Sequence, residues 1–158
     1  MEFPFSSAAV SLHVHATEDE QRALELLKGL LPSPVEVRRS LLTGHHGNPI
    51  TVLEARINQK KDLREFWQTI IARMDEAALA ELRRTVEKKV DDSGFLYLRF
   101  DKQLAQEGKL VPTEVGESIH VRFKVVSFPA KREVAVAKVV NFLEARGKHE
   151  AQEEIRGV

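Results

Sequence analysis

Apolar and polar residues alternate in five segments of the chain, and this period of two predicts β-strands. The strands are predicted at 9–16, 35–42, 50–58, 95–101 and 118–126. In the last of them every second residue from Ile119 is apolar, while His120, Arg122 and Lys124 occupy the positions between. One face of such a strand is buried and the other is exposed.

A period of three to four residues predicts four helices between and after these strands. Acidic capping signals begin three of them, in the segment 17–20, at Asp62 and at Asp75, and a fourth runs from Arg132 to Arg146. Residues 1–147 are therefore expected to form a single domain. The polar residues 148–158 are expected to form a flexible tail.

The element order is β-α-β-β-α-α-β-β-α. Alternation on one side only predicts an α+β fold, a two-layer sandwich in which helices cover one face of a mainly antiparallel sheet. The second strand is the exception, because continuing its alternation would turn Arg39 inward. We expect a bulge or a shifted register there.

Composition is typical of a globular protein, with 42% apolar and 30% charged residues in 158. Cysteine is absent, which excludes disulfides and thiolate zinc sites. No segment is long and apolar enough to cross a membrane, and the first residues lack the pattern of a signal peptide, so a cytoplasmic location without a membrane partner is expected. The formal net charge of zero counts against a nucleic-acid partner.

The spatial distribution of charge changes that assessment. If the apolar positions face the helices, cationic and aromatic side chains from separate strands share the open face of the sheet; these are His13, His15, Arg38, Arg56, Tyr97, Arg99, His120, Arg122 and Lys124. Cations neutralise phosphates and rings stack on unpaired bases, so this face suits single-stranded RNA. The alternative is that basic residues merely keep an exposed face hydrated.

Two further segments carry candidate binding groups. In the loop 44–49, His45, His46 and Asn48 offer hydrogen bonds between glycines that allow close approach to a ligand, although the same residues suit a plain hairpin turn. Lys131 and Arg132 lie at the positive end of a helix dipole, where a bound phosphate would relieve the repulsion.

Enzyme motifs are absent: we find no P-loop, dinucleotide fingerprint or nucleophile elbow, and no cofactor is expected. His13 and His15 project to the same side of a strand and could chelate a metal together with His45 or His46. No carboxylate is convincingly placed to complete such a site, so no metal is predicted.

Five strings together resemble an archaeal RNA-binding family described as predicted exosome subunits. They are VHATE at 14–18, GHHGNPI at 44–50, FW at 66–67, LYLRFDKQ at 96–103 and FPAKRE at 128–133. The resemblance implies a fold similar to that of the ribosomal protein that binds 5S RNA, and a role near exosomal RNA processing or decay. It also adds Lys102 to the candidates, on a predicted loop or the open face, and it supplies no catalytic residues.

The leading hypothesis is therefore a non-catalytic RNA-binding accessory protein. Phosphates would be bound by Arg38, Arg56, Arg99, Lys102, Arg122, Lys124, Lys131 and Arg132, and bases or riboses by His13, His15, Tyr97 and the loop 45–48. A second hypothesis makes the same face a protein interface, for a homodimer or for exosome subunits, with Phe95, Tyr97 and Val126 as anchors. A third is a histidine metallohydrolase.

Overall fold

The computed structural model describes residues 2–44 and 46–156, with side chains up to Ala145. Within this part of the chain lie five strands, β1 (Phe5–His15), β2 (Arg38–Thr43), β3 (Pro49–Ile57), β4 (Phe95–Asp101) and β5 (Ser118–Val125). The helices are α1 (Glu20–Leu30), α2 (Lys60–Ala72), α3 (Glu76–Thr85), α4 (Lys102–Gln106) and α5 (Arg132–Arg156), and a 3₁₀ turn (Val86–Lys89) follows α3. None of the helices in the described part of the chain is long and apolar enough to span a membrane.

The five strands form one sheet in the order β2-β3-β1-β5-β4, and every neighbouring pair is antiparallel. The predicted α+β class and antiparallel sheet are confirmed. Strand β1 occupies the centre, so its side chains have neighbours on both sides. Strands β2 and β4 form the two edges.

The core lies between the helices and one face of the sheet. In β1, Val10, Leu12 and Val14 are buried, while the residues between them are partly or fully exposed. Helix α2 places Phe66 and Trp67 against Phe123 of β5, with ring centroids 5.7 and 5.3 Å apart. Burying such side chains is worth about 1.5–3 kcal/mol each, which fixes the face that each strand turns to the helices.

The prediction of an irregularity in the second strand is wrong. The β2–β3 register is continuous from Arg38 to Thr43, and the bulge or irregularity between β1 and β5 lies instead at Phe5/Ser7. Arg39 does turn toward the helix side, but at the sheet edge, where its Nε lies 2.7 Å from Glu20 Oε1 of α1. An ion pair rather than a bulge accommodates this side chain.

Two helix predictions also change, and one helix was not predicted. Helix α2 begins at Lys60 after the N-cap Gln59, so Asp62 lies in the first turn instead of capping it. Helix α4 was not predicted, because five residues show too little periodicity, and it is capped by the Asp101 side chain, which accepts a hydrogen bond from Leu104 N. The backbone of α5 continues to Arg156, and the flexibility of the tail stays a prediction.

Candidate functional site

Strand pairing arranges the open face in two rows that cross the sheet. Residues directly opposite each other on paired strands point to the same face. The first row is Arg38, Glu54, Ser11, His120 and Arg99, and the second is Arg56, Ala9, Arg122 and Tyr97. Six of the predicted binding residues therefore lie in two adjacent rows.

A shallow furrow runs along β1 at the centre of these rows. Its floor is Ala9 and Ser11, one wall is Glu54 and Arg56, and the other wall is His120 and Arg122. Tyr97, His13 and Val121 complete the lining of this depression, which has a volume of about 400 Å³. The furrow exists because the central strand carries small residues between neighbours with long side chains.

The cations beside the furrow are held by an aromatic ring. Phe95, which is half-buried at the start of β4, lies under Arg122 Cζ at 5.0 Å and Lys124 Nζ at 4.7 Å. Lys124 also donates a hydrogen bond to the Ser93 carbonyl. These contacts restrict two flexible side chains to the surface of the sheet, where a phosphate could meet them.

Two other arginines of the rows have bonding partners within the protein. Arg56 Nε donates to Glu54 Oε1 at 3.0 Å. Arg99 Nε donates to Ser118 Oγ at 3.1 Å, and its terminal nitrogens donate to the Glu114 and Gly116 carbonyls. Arg99 thus braces the loop before β5 while its charge remains on the open face.

The histidines of the open face differ in their surroundings. His15 Nε2 lies 3.0 Å from Glu117 Oε1, and His120 Nε2 lies 3.2 Å from Ser118 Oγ. Partial burial, followed by the nearby charges of Arg99 and His13, lowers the pKa of His120 below its ordinary value of 6.5. At neutral pH His120 is therefore an uncharged hydrogen-bonding group.

Lys102 does not have the surface position expected of it. Its side chain is only 5% exposed, and Nζ donates to the His13 carbonyl at 2.8 Å and to Glu18 Oε2 at 2.5 Å. The lysine ties α4 to the end of β1 and to the turn before α1. The expectation of a surface group is wrong, because Lys102 begins a helix that packs on the core.

Lys131 and Arg132 lie outside the two rows. Arg132 Nε donates to the Val90 carbonyl at 2.9 Å and Nη2 donates to the Glu87 carbonyl at 2.5 Å. Carbonyls at the end of the 3₁₀ turn therefore supply the negative partner that we expected from a phosphate. Lys131 is exposed.

The loop between β2 and β3 has the geometry of a tight turn. Gly44 N donates to the Asn48 carbonyl at 2.7 Å, and Gly47 adopts a positive φ of 78°. A Cβ at Gly44 would lie 2.9 Å from Asn48 O, so the turn itself requires this glycine. His46 and Asn48 are exposed, and His45 lies outside the described residues.

Two lysines beside the open face were not among the binding residues predicted from the sequence. Lys88 and Lys89 of the 3₁₀ turn line a depression of about 260 Å³ together with Tyr97 and Arg99. In the sequence this pair is typical of a helix C-terminus, where basic residues complement the dipole. Only the packing of that turn beside β4 reveals a second role.

One group of possible metal ligands occurs among the described residues. Ligand atoms of His15, Glu18 and Glu117 lie within 4.8 Å of one another, which supplies the carboxylates that the sequence did not predict. However, Lys102 Nζ lies 2.5 Å from Glu18 Oε2 and 3.7 Å from Glu117 Oε2. The ammonium group already provides the positive charge that a metal ion would bring.

Two solved structures with this fold come from archaea. The DUF54 protein Mth689 from Methanothermobacter thermautotrophicus is 36% identical, with a TM-score of 0.76, over 89% of this chain and 99% of that one. Protein AF2318 from Archaeglobus fulgidus, assigned to DUF54, is 32% identical with a TM-score of 0.78, over 88% of this chain and 99% of that one.

Two sequence comparisons agree with the structures. RNA-binding protein PAB1135 from Pyrococcus abyssi is 38% identical over 136 residues, which cover 83% of this chain and 88% of that protein. A family model described as RNA binding matches residues 7–125, from the first strand to the end of β5. The chain therefore belongs to this archaeal RNA-binding family, DUF54.

Proposed function

We propose that this protein binds RNA through the open face of its sheet and catalyses no reaction. The observation that supports the proposal best is the gathering of cationic and aromatic side chains from β2, β3, β5 and β4 into two adjacent rows. The helices pack on the opposite face, so these rows are accessible to a large ligand. The family to which the chain belongs supplies the class of ligand.

Cationic and aromatic side chains have different roles on this face. Arg38, Arg122 and Lys124 offer positive charge to phosphates, and each phosphate contact releases counterions. Tyr97 and His13 are exposed rings that can stack on unpaired bases. Lys88 and Lys89 extend the positive surface beyond β4.

The absence of catalysis is part of the proposal. Two of the three possible metal ligands, Glu18 and Glu117, lie beside the Lys102 ammonium, which would have to leave before a cation could enter. An accessory role in exosome-linked RNA processing is the context implied by the sequence resemblance, and it stays a prediction. A pull-down with purified exosome subunits would test it.

Salt dependence of RNA affinity is the direct test of phosphate binding. The logarithm of affinity should fall linearly with the logarithm of salt concentration, and Arg122→Ala should lower the slope by about 0.7–0.9. Arg22→Ala, on the exposed surface of α1, is the matched control and should leave the slope unchanged. Salt-insensitive binding, or equal effects of the two variants, would contradict the proposed face.

A second candidate function is association with another protein at the sheet edge. All six residues of β2 are exposed, including Leu41 at 60% and Leu42 at 51%, and one side of the strand has no neighbour. An open edge strand with apolar side chains favours pairing with another chain. The predicted anchor Phe95 is instead covered by Arg122 and Lys124. Sedimentation of wild type and Leu41→Lys tests this, since a dimer through β2 should dissociate in the variant.

A further inference from the structure

We propose that the furrow along β1 holds one unpaired base of the RNA and prefers guanine. The inference rests on the proposed function, because it names the ligand that the open face would accept. Three features of the furrow carry it: its narrow floor, the hydrogen-bonding edge formed by Glu54 and Arg56, and the groups on the opposite wall.

The floor and width of the furrow suit a single base. Ala9 and Ser11 are small, so a flat ring can lie directly on the central strand. The walls belong to β3 and β5, which are two strand spacings apart, or about 9.6 Å between backbones. Bases in an RNA duplex are stacked and paired inside the helix, whereas an unpaired base can leave the stack and enter such a depression.

The β3 wall presents a defined order of donors and acceptors. Arg56 Nε donates to Glu54 Oε1 at 3.0 Å, which orients the carboxylate and leaves the Arg56 Nη groups able to donate to a ligand. A carboxylate offers about four acceptor sites, and this contact uses one of them. The wall therefore offers a donor beside two acceptor oxygens.

Guanine is the RNA base with the complementary edge. Its Watson–Crick edge carries the acceptor O6 followed by two adjacent donors, N1–H and the N2 amine. Adenine and cytosine each place one amine beside an acceptor nitrogen, and uracil flanks one N–H with two carbonyls. Only guanine can satisfy both oxygens of Glu54 while its O6 accepts from Arg56.

The opposite wall accommodates the rest of the nucleotide. Arg122, held over Phe95, places a positive charge where the ribose–phosphate of a base lying across the furrow would lie. His120 has a pKa below its ordinary value, through partial burial and the charges of Arg99 and His13, and offers a neutral imidazole for a hydroxyl. The single carboxylate of the lining, Glu54, thus lies on the wall that faces Arg122 and His120.

The test uses fluorescently labelled ten-nucleotide oligouridines that carry guanosine, inosine, adenosine or cytidine at one central position. Anisotropy should give roughly tenfold tighter binding for guanosine than for adenosine or cytidine, the range expected of one bidentate contact at a half-exposed site. Inosine keeps O6 and N1–H but lacks the N2 amine, so its affinity should be intermediate. A hairpin with a fully paired stem and guanines only in the stem should bind more weakly than the guanosine oligomer.

The variant Glu54→Gln tests the residue assignment, because glutamine keeps the size and replaces one acceptor with a donor. We expect the preference for guanosine to fall to within about twofold of adenosine, while overall binding persists. Glu65→Gln, on the exposed surface of α2, is the control and should keep the full preference. Circular dichroism of both variants verifies their folding.

The possible failures separate this inference from the proposed function. Equal binding of all four oligomers, a preference that survives Glu54→Gln, or tighter binding of the paired hairpin would overturn the guanine site and leave RNA binding intact. Failure of every RNA to bind at low salt would overturn the proposed function as well.

Discussion

Lys102 provides the sharpest test of the structure, because the sequence predicts an RNA-binding surface lysine and the structure buries it. We consider Lys102→Met, which keeps an unbranched side chain of similar length and removes the ammonium group. Two hydrogen bonds are lost, one to the His13 carbonyl at 2.8 Å and one to Glu18 Oε2 at 2.5 Å. The attraction to Glu117, 3.7 Å away, is lost as well.

The magnitude follows from the burial of each partner. Removing one member of a fully buried ion pair costs about 3–5 kcal/mol, because the other charge stays desolvated. Here the side chains of Glu18 and Glu117 are 28% and 56% exposed, so water can replace much of the lost bonding. We therefore expect a loss of about 2 kcal/mol in the free energy of unfolding, which lowers Tm by about 6 °C in a chain of this size.

The pH dependence of this loss is a second signature. Partial burial raises the pKa of Glu18, but the bonds from Lys102 and from His15 N outweigh it, and the net pKa lies below the ordinary 4.5. A carboxylate with a lowered pKa stabilises the folded state above its unfolded pKa, and this contribution is lost as pH falls through the folded pKa. The difference between wild type and Lys102→Met should therefore be full at pH 7 and shrink below pH 4.5.

Urea denaturation followed by circular dichroism measures both quantities, and RNA affinity at pH 7 completes the assay. The control Lys109→Met replaces an exposed lysine and should change stability by less than about 0.5 kcal/mol. An unchanged unfolding free energy combined with weaker RNA binding in Lys102→Met would refute the reasoning. That result would mean that Lys102 contacts RNA, as the sequence predicts.

Two further predictions concern a helix cap and a histidine. Asp75→Ala removes the side chain that accepts a hydrogen bond from Ala78 N at 2.8 Å, so it should lower the unfolding free energy by about 1 kcal/mol in urea, whereas Asp92→Ala on the turn before β4 should not. RNA affinity should rise as pH falls through the pKa of His120, which burial and neighbouring charges hold below 6.5, because the protonated ring adds a positive charge to the face that binds phosphates. Anisotropy at constant ionic strength measures this, and an equally steep pH profile in His120→Gln would contradict the assignment to that ring.

The strands were predictable where one face alone is buried. In β1, β4 and β5 apolar residues alternate with polar ones because the helices cover one side of the sheet. This pattern can be recognised without knowing which strands pair. Strand β2 has all six residues exposed, so its sequence carries no such constraint. The bulge was predicted because Val35 and Val37 were counted as strand residues. Both residues precede the strand.

The site was predictable only as a set of side chains on one face. The rows that bring Arg38 beside Glu54, and Arg122 beside Tyr97, depend on the register between strands that are distant in the chain. The furrow depends on which strand is central, because Ala9 and Ser11 form a floor only with long side chains on both sides. Neither the strand order nor the register can be predicted from the local alternation of apolar and polar residues.

Net charge was the weakest guide to the partner, and ion pairing explains why. Among the described residues, Arg39 and Arg84 have carboxylate partners at 2.7 and 2.6 Å, and both contribute little field beyond their own pairs. Apart from Arg56, the arginines and the lysine of the open face have no carboxylate within ion-pair distance in the described part of the chain. A phosphate approaching this face meets charges that are not already neutralised. The salt dependence of RNA binding should therefore follow the number of such cations on the open face, although the whole chain is neutral.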